Sequence, residues 1–371
     1  MNVIGVVAEY NPFHNGHIYH INKIKEMYPN SLVIAVVSGC FCQRGDISIL
    51  NKWDKTNIAL DNKIDLVVEL PFVFSSQSAD VFARGTIKIL NELKVEKIVF
   101  GSESNDVDKL KSIANNQINN TDFDSKVRSY LKDGINYPTA IAKASNTDTK
   151  TPNDLLAISY IKEIIKNQYN IESISIKRTN DFNDKEIVGE TISATAIRNN
   201  LNNKNIKKYL PRSSYKKIYH INESRYFDIL KYKIISDINI LNTYQTVDEG
   251  IENRIKKYIN SSNSPDDLIK NIKAKRYTYN KIKRMLTHIL CSFTKEEAKD
   301  IDIEYIKILG FNKSGKDYLN KIKKDINISL ITNYKYSSKI LDIESRVTNI
   351  YSLIVNDKSL IKRELEKPII R

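Results

Sequence analysis

The chain is poor in cysteine, proline, glycine and tryptophan, and it has no long apolar run. Its 371 residues include three cysteines, eight prolines, eleven glycines and one tryptophan. Three cysteines cannot build the disulfide framework of a small secreted protein, which favours a reducing compartment. No run of about 18 apolar residues occurs and the first residues lack the basic start of a signal peptide, so we expect neither a membrane span nor export. The sequence therefore predicts a soluble, cytoplasmic protein.

Positive charge is unevenly distributed along the chain. Residues 201–371 carry 35 Lys and Arg against 20 Asp and Glu, whereas residues 1–200 carry 23 against 24. A basic half joined to a near-neutral half indicates a module that binds a polyanion beside a catalytic module. Compositional drift toward lysine is the alternative, but drift does not explain why the first half is spared.

Short apolar segments alternate with helical patterns in the first half. The predicted strands are residues 3–8, 31–37, 64–70, 95–100 and 171–177, and the predicted helices include residues 16–28, 54–61, 79–93, 152–166 and 191–201. This alternation predicts an α/β fold with a doubly wound, mostly parallel sheet. Beyond residue 200, glycine is rare and Lys/Ile/Leu/Tyr patterns predict a mainly helical, basic domain. We place the domains at residues 1–205 and 206–371.

The strongest chemical signal follows the first predicted strand. The segment Ala8–His17 reads AEYNPFHNGH and contains the pattern His-x-Gly-His in His14, Gly16 and His17. At a strand-to-helix junction, glycine lets a nucleotide approach the backbone, and the N–H groups that begin the helix attract phosphate. Two imidazoles there can stabilise the charge that develops at an α-phosphate during attack. We therefore predict a nucleotide site in which His14 and His17 are catalytic.

A metal site or a pair of helix-capping histidines is the alternative for this segment. His14, His17 and His20 are spaced so that a helix spreads them around its axis, and no second cluster of His or Cys supplies a further ligand. Cys40 and Cys42 form at most half of a metal site. The sequence thus predicts no metal site built from protein ligands alone.

A second pattern for binding anions ends the first half. Ser193 and Thr195 stand at a predicted helix start, and Arg198 follows about one turn later. Alone this is an ordinary helix cap. Paired with the histidine motif, it matches the two-part signature of the nucleotidylyltransferase superfamily.

Together these segments resemble the bacterial tRNA(Met) cytidine acetate ligase family. The similarity covers nearly the whole chain, in Val7–His20, Ser38-Gly39, Gln43–Gly45, Glu69–Phe72, Phe100–Glu103, Pro152–Leu155, Ser193–Arg198 and Lys275–Thr278 with Arg284. The resemblance implies a sheet of the nucleotidylyltransferase type. It also implies that acetate is activated with ATP to acetyl-adenylate, and that the acetyl group passes to N4 of the wobble cytidine of elongator tRNA(Met). ATP and Mg²⁺ are the implied cofactors, and neither a membrane nor an obligate protein partner is expected.

The resemblance also implies which residues contact ATP. They are Val7, Ala8, Glu9, Tyr10, Asn11, Pro12, Phe13, His14, Asn15, Gly16, His17, Ile18, Tyr19, His20, Gly101, Asn153 and Arg178, joined by Ser193, Thr195 and Arg198. Arg178 and Arg198 would bind phosphate. Glu9 and Asp154 are candidates for Mg²⁺ or substrate contact, or else structural carboxylates.

Two basic clusters are the candidates for contact with tRNA. Residues 273–284 interleave cations with tyrosines, which suits phosphates and unpaired bases. A second group lies near the predicted domain boundary. The predicted contacts are Lys275, Arg276, Tyr277 and Arg284, with Lys207, Lys208 and Arg212. The alternative is a solvated helix face whose tyrosines belong to the core.

The chain departs from the family pattern in two places. Cys40 and Cys42 stand where other residues are expected, and residues 180–184 lack an expected glycine and histidine. Two other functions stay open at this stage. A small-molecule adenylyltransferase would use the same motifs but leave the basic half without a purpose, and a non-catalytic RNA-binding protein would not need both histidines.

Overall fold

One mixed sheet organises this computed structural model, which describes residues 2–145, 147, 151–178, 192–332 and 336–371. Within those ranges the sheet has eight strands: β1 (Val3–Ala8), β2 (Leu32–Ser38), β3 (Leu66–Leu70), β4 (Lys97–Ser102), β5 (Glu172–Lys177), β6 (Tyr305–Phe311), β7 (Ser329–Ile331) and β8 (Ile369–Ile370). Strands β1 to β5 run parallel to one another, and β6 is antiparallel to β3. Every residue of β2 is buried, as expected for a strand with both faces covered.

Helices cover the sheet and are the main elements of the second half. They are α1 (Asn15–Met27), α2 (Lys52–Asp61), α3 (Phe72–Ser75), α4 (Ala79–Glu92), α5 (Val107–Asn119), α6 (Phe123–Lys132), α7 (Tyr137–Ala144), α8 (Pro152–Lys166), α9 (Ala194–Asn199), α10 (Arg212–Tyr215), α11 (Glu223–Ser236), α12 (Ile251–Tyr258), α13 (Pro265–Ile272), α14 (Tyr279–Leu290), α15 (Lys313–Ile322), α16 (Lys339–Val355) and α17 (Ser359–Arg363). Two short 3₁₀ helices span Lys204–Tyr209 and Leu241–Thr243.

The strand order locates the ligand crevice. The sheet runs β5-β4-β1-β2-β3-β6-β7, with β8 beside β6. The chain therefore moves outward from β1 through β2 to β3, and then returns to the other side of β1 with β4. Ligands of such sheets bind at this reversal, outside the carboxyl ends of the strands. The reversal lies between β1, which leads into the histidine motif, and β4, which ends near Gly101.

The predicted α/β fold with its mostly parallel sheet is confirmed. All five strands predicted for the first half are present, with ends displaced by a few residues at most. The sheet also contains β6, β7 and β8 from the second half, which the sequence analysis did not identify. The division at residue 205 stays a prediction, although the sheet itself extends across that position because β6 pairs with β3.

Buried charges join the late part of the chain to the sheet. Lys52 of α2 is fully buried and lies 2.6 Å from Glu69 of β3 and 2.9 Å from Glu364. Lys307 of β6 forms ion pairs with the same two carboxylates. Breaking such a buried pair leaves an uncompensated charge, so this cluster ties β6 and the end of the chain to the first half.

Candidate active site

A cavity of about 1410 Å³ opens beside the carboxyl ends of β1 and β4. Predicted ATP contacts line it, namely Val7, Ala8, Glu9, Tyr10, Asn11, His14, Gly16, His17, Tyr19, His20, Gly101, Asn153, Arg178, Ser193, Thr195 and Arg198. Four other predicted contacts do not line it, namely Pro12, Phe13, Asn15 and Ile18. Phe13 is fully buried, for example, and packs against the ring of Tyr10 at 4.7 Å between centroids. The structure thus gathers the separate sequence motifs around one space.

The two motif histidines fix each other at the start of α1. His14 is the N-cap residue, and its Nδ1 accepts a hydrogen bond from Gly16 N–H at 3.0 Å. His17 Nδ1 accepts from His14 N–H at 3.1 Å. Since both Nδ1 atoms accept, both imidazoles are assigned the tautomer that carries its proton on Nε2. The rings lie 3.9 Å apart, so two Nε2–H donors are held side by side at the helix start.

The environment keeps these histidines neutral. Burial lowers the pKa of His14 to about 3, with Arg178 and Arg198 adding to the effect. Burial lowers the pKa of His17 well below its usual value, and His14 and His20 lower it further. Burial and Arg178 lower the pKa of His20 to about 4, and its buried Nε2 has no hydrogen-bond partner among the described residues. A neutral imidazole can still donate Nε2–H to a phosphate oxygen, and a bound polyanion would raise these pKa values.

Arg198 connects the second motif to the first. Ser193 is the N-cap of α9, and its hydroxyl accepts from Ala196 N–H at 3.0 Å. Arg198 donates to the backbone oxygen of Asn11 at 2.7 Å and to Thr195 Oγ1 at 3.3 Å. The guanidinium therefore lies against the histidine motif, although residues 193 and 198 are far from it in sequence. The loop at residues 180–184, which departs from the family pattern, is outside the described residues.

The opposite wall is formed where β4 ends. Gly101 lies against the Arg178 side chain, since a Cβ placed there would be 3.3 Å from Arg178 Cγ. The carboxylate of Glu103 accepts from Asn153 Nδ2 at 2.5 Å and from Asp154 N–H at 3.1 Å. This arrangement orients the Asn153 amide at the start of α8.

The two candidate magnesium carboxylates differ in their surroundings. Asp154 accepts hydrogen bonds from Ser102, Thr151 and the backbone of residues 103 and 104. Burial would raise the pKa of Asp154, but these hydrogen bonds outweigh it and lower the pKa. Asp154 is therefore a structural carboxylate. Glu9 accepts from Gln43 N–H at 2.7 Å and lines the cavity, so it is the better candidate for a substrate or cation contact.

Comparison with known proteins identifies the family. The family model of HIGH nucleotidyl transferases matches residues 1–366. A tRNA(Met) cytidine acetate ligase of Caldicellulosiruptor bescii is 39% identical and aligns over 96% of this chain and 95% of its own. Another, from Clostridium perfringens, is 36% identical, and the alignment spans both chains completely.

This chain belongs to the tRNA(Met) cytidine acetate ligase family.

Solved structures agree with that membership. The crystal structure of Thermotoga maritima TmcAL in its apo form superposes on this family member with a TM-score of 0.90 at 29% identity, covering 100% of this chain and 99% of the other. A second crystal form, bound with alpha-thio ATP, gives a TM-score of 0.89 at 28% identity. The shared fold therefore includes a protein whose structure contains an ATP analogue.

The predicted tRNA contacts of this family member fall into three environments. Lys207, Lys208, Arg212 and Lys275 are exposed. Arg276 and Arg284 line the same cavity as the histidines. Tyr277 is only 6% exposed and donates its hydroxyl to the backbone oxygen of Asp248, so its ring belongs to the core and is not presented for stacking on a base. Tyr279, at 38% exposure, is the accessible aromatic of this segment.

None of the three cysteines lines the cavity. Cys40 and Cys42 are buried and unpaired with each other, and burial raises the pKa of the Cys40 thiol to about 12. Across the described part of the chain, no group of three or more His, Cys, Asp or Glu side chains is placed to hold a metal ion. In those same ranges, no helix is long and apolar enough to cross a bilayer.

Three further residues line the cavity that were not among the predicted site residues, namely Arg44, Asp46 and Tyr137. Arg44 stood within the segment Gln43–Gly45 that carries the family resemblance, and that was its one available signal. Asp46 pairs with Lys283 and lies 3.9 Å from Arg198, contacts that join residues distant in sequence. No local pattern marks such a carboxylate.

Proposed function

We propose that this chain activates acetate with ATP and transfers the acetyl group to N4 of the wobble cytidine of elongator tRNA(Met). The observation that carries the proposal is the pair of Nε2–H donors of His14 and His17, fixed at a helix start inside a cavity that residues of the basic half also line. A non-catalytic RNA-binding protein would have no use for that arrangement.

In the first step a carboxylate oxygen of acetate attacks the α-phosphorus and pyrophosphate leaves. His14 and His17 donate to phosphate oxygens where negative charge increases, which stabilises the transition state. Arg178 and Arg198 are near enough to His14 to lower its pKa, and they add positive charge around the phosphates. The site needs no protein nucleophile, because positioning of acetate against the α-phosphorus supplies much of the acceleration.

In the second step the N4 amino group of cytidine attacks the acetyl carbonyl carbon. The bond from that carbon to the adenylate oxygen breaks, AMP leaves, and N4 loses one proton. The cytidine must enter the cavity that holds the adenylate, and residues of α14 and of the segment before it lie at the same opening.

The cavity residues fit ATP. The wall contains an unpartnered buried His20 Nε2, two neutral imidazole donors and the arginines at positions 178 and 198. Magnesium would arrive with the triphosphate and neutralise part of its charge, since Mg²⁺ is usually bound through phosphates and one or two carboxylates. Glu9 is the residue we propose for that contact.

The direct test offers the purified protein ATP, acetate and total tRNA, and then measures nucleosides by mass spectrometry after digestion. We expect N4-acetylcytidine that depends on both ATP and acetate, together with acetate-dependent exchange of pyrophosphate into ATP in the absence of tRNA. Exchange without acetylcytidine, stimulated instead by another carboxylate or a phosphorylated cofactor precursor, would favour a small-molecule adenylyltransferase.

A further inference from the structure

Two arginines from different halves of the chain meet in the cavity. Arg44 lies in the loop between β2 and α2, and Arg284 lies on α14. The loop packs directly on that helix, because a Cβ at Gly45 would be 2.7 Å from the backbone nitrogen of Arg284. Thr287 of the same helix donates to the backbone oxygen of Gly45 at 3.0 Å. Both arginines contribute to the cavity wall, so their position is set by a fixed contact between the halves.

The neighbouring cations have close partners in this structure, whereas Arg284 does not use all its donors. Lys283 is paired with Asp46, and Arg198 donates to the backbone oxygen of Asn11. The Nε of Arg284 is buried and has no hydrogen-bond partner among the described residues. A buried donor on a charged group is costly to leave unpaired. A ligand that places an acceptor beside Arg284 Nε would satisfy this donor.

Like charge adds to that cost. Burial, with a smaller effect from the neighbouring Arg44, lowers the pKa of Arg284 to about 10. Burial also lowers the pKa of Arg44, against the opposing effect of Glu9, Asp46 and Glu103, and Arg198 adds to the lowering. An anion placed between the two guanidiniums would offset both the cost of burying their charges and the repulsion between them. Arginine's planar set of donors suits a phosphate.

We propose that Arg44 and Arg284 form a phosphate-binding site at the junction of the two halves, and that it holds a backbone phosphate of the RNA beside the nucleotide that enters the cavity. This inference rests on the proposed function. The RNA strand is the expected source, because the accessible Tyr279 and the exposed Arg276 of the same basic segment line the cavity together with Arg284. The phosphates of ATP already have proposed partners, which are His14, His17, Arg178 and Arg198.

The test compares Arg44→Gln and Arg284→Gln with the charge-conserving Arg44→Lys and Arg284→Lys in the full-length protein. Lys256→Gln is the matched control, since Lys256 is exposed in the same half and does not line the cavity. Two arms are measured on each variant: acetyl transfer at varied tRNA, and acetate-dependent ATP–pyrophosphate exchange without tRNA. Competition of tRNA binding by cytidine and by cytidine 3′,5′-bisphosphate then probes the phosphate directly.

We expect each glutamine variant to raise the KM for tRNA by roughly ten- to a hundred-fold, as for a lost hydrogen bond to a charged group. The slope of log affinity against log salt should fall by about 0.7–0.9. The bisphosphate should lose its advantage over cytidine, and the lysine variants should recover part of the affinity. Exchange should fall much less than acetyl transfer does, and the Lys256 control should be unchanged in both arms.

If only the KM for ATP or pyrophosphate rises, in the exchange arm, the two arginines do bind a phosphate, but it belongs to the nucleotide. That result would overturn the proposal that the phosphate comes from RNA. Unchanged kinetics in both arms, in variants whose thermal unfolding matches the wild type, would overturn the site itself. Failure of the wild type to make N4-acetylcytidine would count against the proposed function instead, and the bisphosphate competition would still report on the arginine pair.

Discussion

Each motif imidazole uses its Nδ1 to accept a backbone N–H, and that leaves Nε2–H as the donor. His14 Nδ1 accepts from Gly16 and His17 Nδ1 accepts from His14. The backbone of the helix start thereby decides the proton positions of both rings. The motif spacing matters for this reason, because the second histidine must lie three residues after the N-cap to reach its backbone N–H.

Replacing either motif histidine should impair adenylate formation without unfolding the protein. We expect His14→Ala and His17→Ala each to slow acetate-dependent ATP–pyrophosphate exchange by about 10²–10³, the usual effect of losing one donor to a developing charge. His220→Ala is the control, because His220 is exposed. Exchange at the wild-type rate in both motif variants would remove these histidines from the mechanism.

His288 predicts an acid sensitivity of the fold. It is fully buried on α14, where Nε2 lies 2.7 Å from the backbone oxygen of Ser76. Burial lowers its pKa to about 4. Because the unfolded chain binds a proton on this residue near pH 6.5 and the folded chain does not, stability is lost as the pH falls from about 6.5 toward 4.

The variant His288→Gln separates this contribution from other titrations. The unfolding free energy of the wild type should fall by about 2 kcal/mol more than that of the variant between pH 7 and pH 5. Urea unfolding of both proteins at the two pH values measures this difference. The contributions of His14 and His20 to the pH dependence are the same in both proteins and therefore cancel. If the wild type and the variant lose the same unfolding free energy between pH 7 and pH 5, His288 is protonated in the folded protein or its site is solvated.

At the scale of elements, the contact between the β2–α2 loop and α14 depends on one glycine. Gly45 has a φ of +78°, and a Cβ there would lie 2.7 Å from backbone atoms of both Lys283 and Arg284. Gly134 has nearly the same φ, +79°, but the nearest atom to its Cβ would be 3.8 Å away, on Arg276. The two positions therefore share a left-handed backbone conformation and differ in the space available to a side chain.

This pair gives a matched test of the loop–helix contact. Gly134→Ala should destabilise the protein by about 1 kcal/mol, the penalty of a left-handed alanine. Gly45→Ala should cost about 1–3 kcal/mol more, because α14 or the loop must move. Urea unfolding of the two variants measures the gap. Equal losses would show that the close approach is relieved at little cost.

The elements that sequence predicted best show their pattern within the segment itself, although each strand pairs with a segment distant in sequence. Strands β1 to β5 are short, apolar and bounded by helices, so their pattern is local. Strand β6 reads YIKILGF, and its lysine made it resemble the surrounding Lys/Ile helical patterns. Lys307 in that strand is buried against Glu69 and Glu364. A charged residue in a strand core is explained by partners that only the folded structure brings together.

The candidate site also contains residues that the sequence could predict and residues that it could not. The histidine motif, Gly101, Asn153, Arg178 and the α9 motif were predicted from segments that resemble a family, and the structure places them around one cavity. Tyr277 was predicted to stack on RNA because it stands among cations, yet its ring lies in the core. Position in a charged segment does not indicate which face of that segment a side chain occupies.

At the scale of the whole molecule, the buried cluster around Lys52 links α2, β3, β6 and the end of the chain. Burial raises the pKa of Glu344 to about 8, helped by Glu69, which favours its protonated form at neutral pH. Lys52 and Lys307 then balance Glu69 and Glu364. Lys52→Met should therefore destabilise the protein by about 3–5 kcal/mol, since it leaves buried carboxylates uncompensated.

Chemical denaturation of Lys52→Met beside Lys23→Met measures this effect. Lys23 also pairs with a carboxylate, that of Glu26, but both side chains are exposed and we expect no measurable change. A Lys52 variant as stable as the Lys23 variant would show that the cluster does not hold the late strands on the sheet.

The second molecular question is whether RNA binding and adenylate formation can be separated. Exposed Lys207, Lys208 and Arg212 lie directly behind the histidine motif, since Asn15 donates to the backbone oxygen of Lys208 at 2.9 Å and Ser214 donates to that of Phe13 at 2.7 Å. These contacts use backbone oxygens of the motif or of the basic segment. Changing the three basic side chains therefore should not alter them.

We expect the triple variant Lys207→Gln, Lys208→Gln, Arg212→Gln to weaken tRNA binding while sparing the first half-reaction. If each cation meets one phosphate, the slope of log affinity against log salt should fall by about 2–3 units. Filter binding of tRNA across a salt series measures the slope, and acetate-dependent exchange without tRNA measures the first step. An unchanged slope would mean that the cluster is a solvated face. Loss of exchange as well would mean that this segment helps to build the adenylation site, because the histidine motif packs on its backbone, and that the two steps cannot be assigned to separate surfaces.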